Sequence, residues 1–196
     1  MFSPSVRLAI LLCAAILSSG FIPAFAGPPV IKARVEEPVL EELMGGCSLR
    51  CSIAWHVEAS IDGTAKGAKI KALTDEKATQ AWVAPAGPTP RLRIALPAKL
   101  IPELEESPVY GIDLINGHWA TEELWKHHAR VKRLRIWYND KPFRDVTISD
   151  SRRWQRITFP DIYIRSGDRL MVEILETYPG TGAPLAISEL VLQGAH

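Results

Sequence analysis

Few residues in this 196-residue chain are of the kinds that name a chemistry outright. There are three cysteines and five histidines, too few and too scattered for a zinc-finger array or an iron–sulfur cluster. Charge of one sign is missing too: 23 Lys and Arg stand against 22 Asp and Glu, a net +1. Arg7 is the single charged residue before Lys32, so loss of the N-terminal stretch leaves 22 of each sign. A neutral chain lacks the basic surface that displaces counterions from phosphates, and a nucleic-acid partner is not expected. No Gly-x-Ser-x-Gly elbow, His-Glu-x-x-His pair or phosphate-cradling glycine loop occurs, and the sequence is expected not to be an enzyme. Glu103, Glu105 and Glu106 read as a solvent loop beside Ser107-Pro108.

Long apolar runs are confined to the first 26 residues. There Arg7 precedes the run Leu8 to Leu17, and Ala24-Phe25-Ala26 supplies the small residues a signal peptidase requires. Ser18, Ser19, Gly20 and Pro23 interrupt the run short of the ~20 residues that span a bilayer. Residues 1–26 are therefore read as a signal peptide cleaved before Gly27, giving a secreted or periplasmic protein with no transmembrane anchor after cleavage. Cys13 follows Leu12 rather than a small residue, which argues against lipidation. The exported chain keeps Cys47 and Cys51, and an oxidising compartment favours a disulfide between them. A zinc site is the alternative, but no second cysteine pair exists and His127-His128 lies far off in sequence.

What remains is strongly patterned. Residues 27–46 are Pro-rich and charged at their start and read as an extended arm, with a brief helix from Val39 to Met44 stopped by Gly45-Gly46. Residues 47–196 read as one all-β domain. Period-two alternation marks Arg91–Leu96, Val131–Tyr138, Trp154–Phe159 and Leu170–Ile174. Shorter strand candidates are Tyr110–Ile115 and Ile187–Leu192, with turn signals at Asn139–Pro142, Ser149-Asp150, Ser166–Asp168 and Pro179–Gly182. One helix is predicted, opening at Thr121 with Glu122-Glu123 in its first turn and ending near His128. Many short strands with polar turns predict a β-sandwich or a barrel.

Several stretches, in order, carry a resemblance. They are Gly45–Cys51, Leu73-Thr74-Asp75 leading to Ala81-Trp82-Val83, Gly111–Gly117, Trp125 followed by Arg130–Leu134, Gly167–Leu170, Tyr178-Pro179-Gly180 and Ile187–Leu190 with Gly194. Together they resemble the NADase-type glycan-binding domain, a branch of the discoidin-like (coagulation-factor type C, galactose-binding-like) sandwiches. The resemblance implies a discoidin-like jelly-roll β-sandwich whose ligand-facing loops cluster at one end, and a carbohydrate-binding role; the fold does not by itself fix the function. It also implies a structural calcium held by Asp75 and Glu189. Here Lys77 replaces the second loop acid and Gln80 the loop threonine, so calcium is disfavoured and no cofactor is expected.

Sugar recognition needs flat aromatics for pyranose faces and polar side chains for hydroxyls. The segment Asn116–Trp125 offers both between two strands, with Arg130 closing it. Trp119 is the expected stacking platform, Asn116 and His118 the hydroxyl partners, and Arg130 the anchor if a ligand carries carboxylates. Trp125 is expected to plug the loop from below, and Trp82 and Trp137 to lie in the core. The expected function is non-catalytic binding of a glycan or cell-surface polysaccharide. The alternative is an envelope protein-interaction or scaffold domain on the same fold; a hydrolase is a distant third.

Overall fold

The computed structural model describes residues 27–35, 60–62, 70–75, 77–85, 93–97 and 105–194. The expected signal peptide, the helix at 39–44 and the Cys47–Cys51 pair lie outside them. Among the described residues eleven strands follow one another: β1 (Val30–Lys32), β2 (Arg34–Val35), β3 (Ser60–Asp62), β4 (Trp82–Val83), β5 (Arg93–Pro97), β6 (Glu106–Asn116), β7 (His128–Tyr138), β8 (Lys141–Thr147), β9 (Trp154–Arg165), β10 (Arg169–Tyr178) and β11 (Ala183–Gly194). A 3₁₀ turn at Ile70–Leu73 precedes β4, and one short helix, α1 (Glu122–His127), lies between β6 and β7.

The strands form two leaves. One has the order β1-β8-β7-β10-β5-β3, the other β2-β9-β6-β11-β4. At one corner β11 pairs parallel with β7, which joins the leaves. Alternation explains why the leaves face each other. Val146, Leu134 and Ile174 align across β8, β7 and β10, while Leu114 and Leu190, then Ile157, Ile112 and Leu192, align across the second leaf. All of these are buried in a single apolar core. This is the predicted β-sandwich.

The segment read as an arm behaves differently over residues 30–35. Strand β1 pairs with β8, the edge of one leaf, and β2 pairs with β9, the edge of the other. Between them Ala33 is buried, and its amide donates to Thr147 O at 3.0 Å. The chain therefore closes the open side of the sandwich here instead of extending away from it. Residues 36–46 lie outside the described part.

Strand direction sorts the connections by end. Strands β6, β8 and β10 run toward one end, and β7, β9 and β11 start from it. Residues 117–127, 148–153 and 179–182 therefore gather there. The tight turns at Asn139-Asp140 (φ 46° and 63°) and at Gly167 (φ 95°) lie at the opposite end.

Candidate functional site

The gathered connections were expected to carry the ligand contacts, and their geometry divides the expected residues into two groups. Asn116 is fully buried at the end of β6. Its Nδ2 donates to Val131 O at 2.8 Å, and its Oδ1 accepts from Val131 N at 2.8 Å. The carboxamide thus bridges the end of β6 in one leaf to the backbone of β7 in the other. It does not face a ligand.

Arg130 departs from expectation in the same way. Its side chain is 7% exposed, and its five N–H donors all find acceptors. Nε and Nη2 grip Asp150 at 2.7 and 3.1 Å. Nη1 donates to His128 O at 2.8 Å and Trp125 O at 3.2 Å, and Nη2 also reaches Pro179 O at 3.3 Å. The guanidinium lies 4.4 Å from the Trp125 ring centroid. One arginine therefore ties together α1, the start of β7 and the 148–153 and 179–182 connections. A buried, saturated guanidinium has no donor left for a ligand carboxylate.

Trp125 takes the plugging position expected of it. Its Nε1 donates to Asn116 O at 2.9 Å, and its ring lies where a side chain on Gly117 would stand, 2.6 Å from an ideal Cβ. Gly117 has φ +93°, so glycine there is required by both backbone and space. Helix α1 opens as predicted, with Thr121 Oγ1 accepting from Leu124 N at 3.1 Å. The amide of Glu123 and the Thr121 hydroxyl hold the Glu123 carboxyl below its ordinary value. At the other end of α1, Thr181 N and Gly182 N donate to Lys126 O and His127 O, so the β10–β11 connection caps the helix. Any side chain on Gly180 would collide with the His127 and His128 carbonyls.

His118 and Trp119 form the second group. The His118 ring stacks on His128 at 5.2 Å, and its Nδ1 accepts from Ala120 N at 3.5 Å. His128 Nδ1 in turn donates to Pro184 O at 2.9 Å. Trp119 is half-buried at the rim. Its amide donates to Ser188 Oγ at 3.1 Å, and that hydroxyl donates to Gly117 O at 3.0 Å. Trp119 O accepts from Arg152 Nη2 at 2.8 Å, with the guanidinium carbon 5.5 Å from the indole centroid. Arg152 was not among the expected site residues. Its stretch, Ser149-Asp150-Ser151-Arg152-Arg153, reads in sequence only as a turn, and nothing local reveals that it folds against Trp119.

Two other expectations can be placed. Trp82 is fully buried, whereas Trp137 is half-buried and donates to Glu173 Oε2 at 2.9 Å, so it is not a core residue. Asp75 Oδ1 accepts from Lys77 N at 3.0 Å, closing a short turn on the lysine that replaced the loop acid. Glu189 is buried on β11 opposite Ile115 of β6. Among the described residues, no three His, Cys, Asp or Glu side chains converge as a metal would require.

Comparison with known proteins bears on the whole domain. Residues 100–193 match the family model described as the NAD glycohydrolase translocation F5/8 type C domain. The curated proteins contain no match to the sequence. Among solved structures, the CBM32-1 and CBM32-2 domains of Clostridium perfringens ZmpB in complex with GalNAc superpose with a TM-score of 0.59 at 9% identity. That match covers 86% of this chain and 40% of the other, so the chain spans well under half of the two-domain structure. CBM32-3 from a family 31 glycoside hydrolase of Clostridium perfringens matches with a TM-score of 0.52 at 14% identity, over 76% of this chain and 99% of that one. At such identities the likeness concerns the fold alone. The family match over residues 100–193 and the two-leaved sandwich agree with a discoidin-like β-sandwich fold, which is what the chain is similar to.

Proposed function

We propose that this chain is an exported, non-catalytic glycan-binding domain, and that its ligand meets the end of the sandwich where Trp119 lies. The observation that carries this reading is the setting of Trp119. Its backbone N–H and C=O are both tied, by Ser188 and Arg152, and its ring stands half-buried at the rim of a rigid β scaffold. A pre-positioned indole is what stacking on a pyranose face requires, because the ordering cost has been met by folding. The fold shared with carbohydrate-binding modules, one of them in complex with GalNAc, supports the same reading. His118 is the neighbouring polar ring, while Asn116 and Arg130 act beneath the surface as ties.

Export before Gly27 and a Cys47–Cys51 disulfide belong to this proposal, since a glycan binder works outside the cytoplasm. A second reading, docking of a protein partner at the same end, is favoured by the translocation role in the matched family's description. A glycan array probed with residues 27–196 separates the two. The first reading expects binding to a defined set of glycans, weakened in Trp119→Ala by about 10–100-fold, the equivalent of one aromatic contact. No bound glycan on the array would refute it.

A further inference from the structure

The arginines of the described chain fall into distinct settings. Arg130, Arg133, Arg135, Arg156, Arg165 and Arg169 each grip a carboxylate: Asp150, Glu176, Asp145, Asp113, Glu106 and Asp140 respectively. Arg152 is exposed and does not; its contacts are the Trp119 carbonyl and the Trp119 ring. That carbonyl uses one N–H of Nη2, so four of the five guanidinium donors stay available. The ring contact and the carbonyl together hold the guanidinium beside the indole. Two carboxylates among the described residues bear on it. Asp150 is committed to Arg130, and exposed Glu123 on α1 is close enough for the Arg152 charge to help depress its carboxyl, as the smallest of several causes. Arg153, next in the chain, adds a second cation to the same connection.

We infer that this end recognises a carboxylated saccharide, with Trp119 taking the sugar face and Arg152 the carboxylate. The inference rests on the glycan-binding reading above and adds the class of sugar. Uronic acids carry a carboxylate at the ring edge, about one ring's reach from a stacked face, and a planar guanidinium binds such a group with two parallel N–H donors. The anchoring part that sequence reasoning gave to Arg130 thus passes to Arg152. Arg130 lies below and is fully engaged with the protein's own groups.

The test uses residues 27–196 and three polymers: polygalacturonate, the same polymer fully methyl-esterified, and dextran sulfate. The methyl ester keeps the sugar and removes the charge. The wild-type protein is expected to prefer the acid over the ester by about 10–100-fold, the range of one charge-assisted pair. Arg152→Gln should bring the two affinities within about threefold, and Arg152→Lys should recover only part of the preference, because a point charge lacks the fork. Thermal melting of each variant confirms folding, and Arg169→Gln at the opposite end serves as the charge-matched control. Equal wild-type binding to acid and ester, with neutral glycans still bound on the array, overturns this inference alone. So does a preference that survives in Arg152→Gln. Dextran sulfate bound as tightly as polygalacturonate would mean general charge attraction and also overturns it. Absence of binding to every saccharide defeats the glycan reading and the inference together.

Discussion

Residues that look alike in sequence do opposite work in this fold, and burial decides which. Asn116 and Arg130 have the chemistry of ligand contacts, but each is consumed by backbone groups that no strand neighbour satisfies. Their replacement should therefore act on stability. Asn116→Ala leaves the Val131 amide and carbonyl without partners and should cost about 2–3 kcal/mol. Arg130→Ala strands Asp150 and three carbonyls and should cost about 2–4 kcal/mol. Chemical denaturation checks both, and an unchanged midpoint would contradict the assignment. A second residue-scale prediction concerns Asp168, at the end remote from Trp119. Burial pushes its carboxyl up, but the Arg165 amide, the Asn139 carboxamide, the Tyr138 hydroxyl and the Arg165 charge outweigh burial and hold it below the ordinary value. A folded pKa below the unfolded one adds stability above the unfolded value of about 4, and this is lost as pH falls through the folded pKa. Asp168→Asn should flatten the acid limb of a stability–pH curve. Tyr138 is shifted the other way, by burial first and then by its bond to Asp168. Its contribution is present below about pH 10 and disappears as pH rises through the raised value. An acid limb unaltered in Asp168→Asn would contradict this account.

At the scale of elements, periodicity was a good guide where one face of a strand meets the core and a poor one elsewhere. The alternating runs became β7, β9 and β10; β10 is buried on both faces over Leu170–Ile174, and the helix appeared at its N-cap with none of its residues buried. Strand β8 escaped notice. Lys141–Thr147 carries Pro142 and only two buried residues, Asp145 and Val146, so it shows no apolar alternation. Its strand character comes from the Asn139-Asp140 turn, whose two positive φ angles fold it back onto β7. Strands β1 and β2 were missed for a related reason. Pro28-Pro29 and Glu36-Glu37-Pro38 read as a solvated arm, and only the unpaired edges of β8 and β9 explain why residues 30–35 pair at all. Those edges supply the prediction. A chain starting at residue 36 loses the ladder bonds of β1 and β2 and the burial of Ala33, and should be about 2–4 kcal/mol less stable. Freed edge strands template association, so light scattering should show concentration-dependent oligomers. A shortened chain that stays monomeric and melts like its parent would show that the segment is dispensable.

For the whole molecule, the sandwich was legible because order and spacing of weak motifs survive over the length of a domain. The proposed site reads in the sequence as a segment but not as a set of side chains. Trp119 and His118 stand at the rim of the connections, Asn116 and Arg130 lie underneath, and Arg152 arrives from a separate connection that only folding brings near. The division of labour is physical: one buried arginine fixes the three connections so that one exposed arginine and one indole can be held at their surface. Indole N–H resonances test this most directly. The chain has six tryptophans; the five among the described residues range from buried to half-buried, and each reports its own surroundings. In a titration with a bound saccharide taken from the array, the Trp119 Nε1–H signal, assigned by its loss in Trp119→Phe, should shift most. The signal of Trp82, buried beside β11, should stay in place. A Trp119 signal that stays fixed through saturation while another indole moves would contradict the account and put the ligand elsewhere on the sandwich.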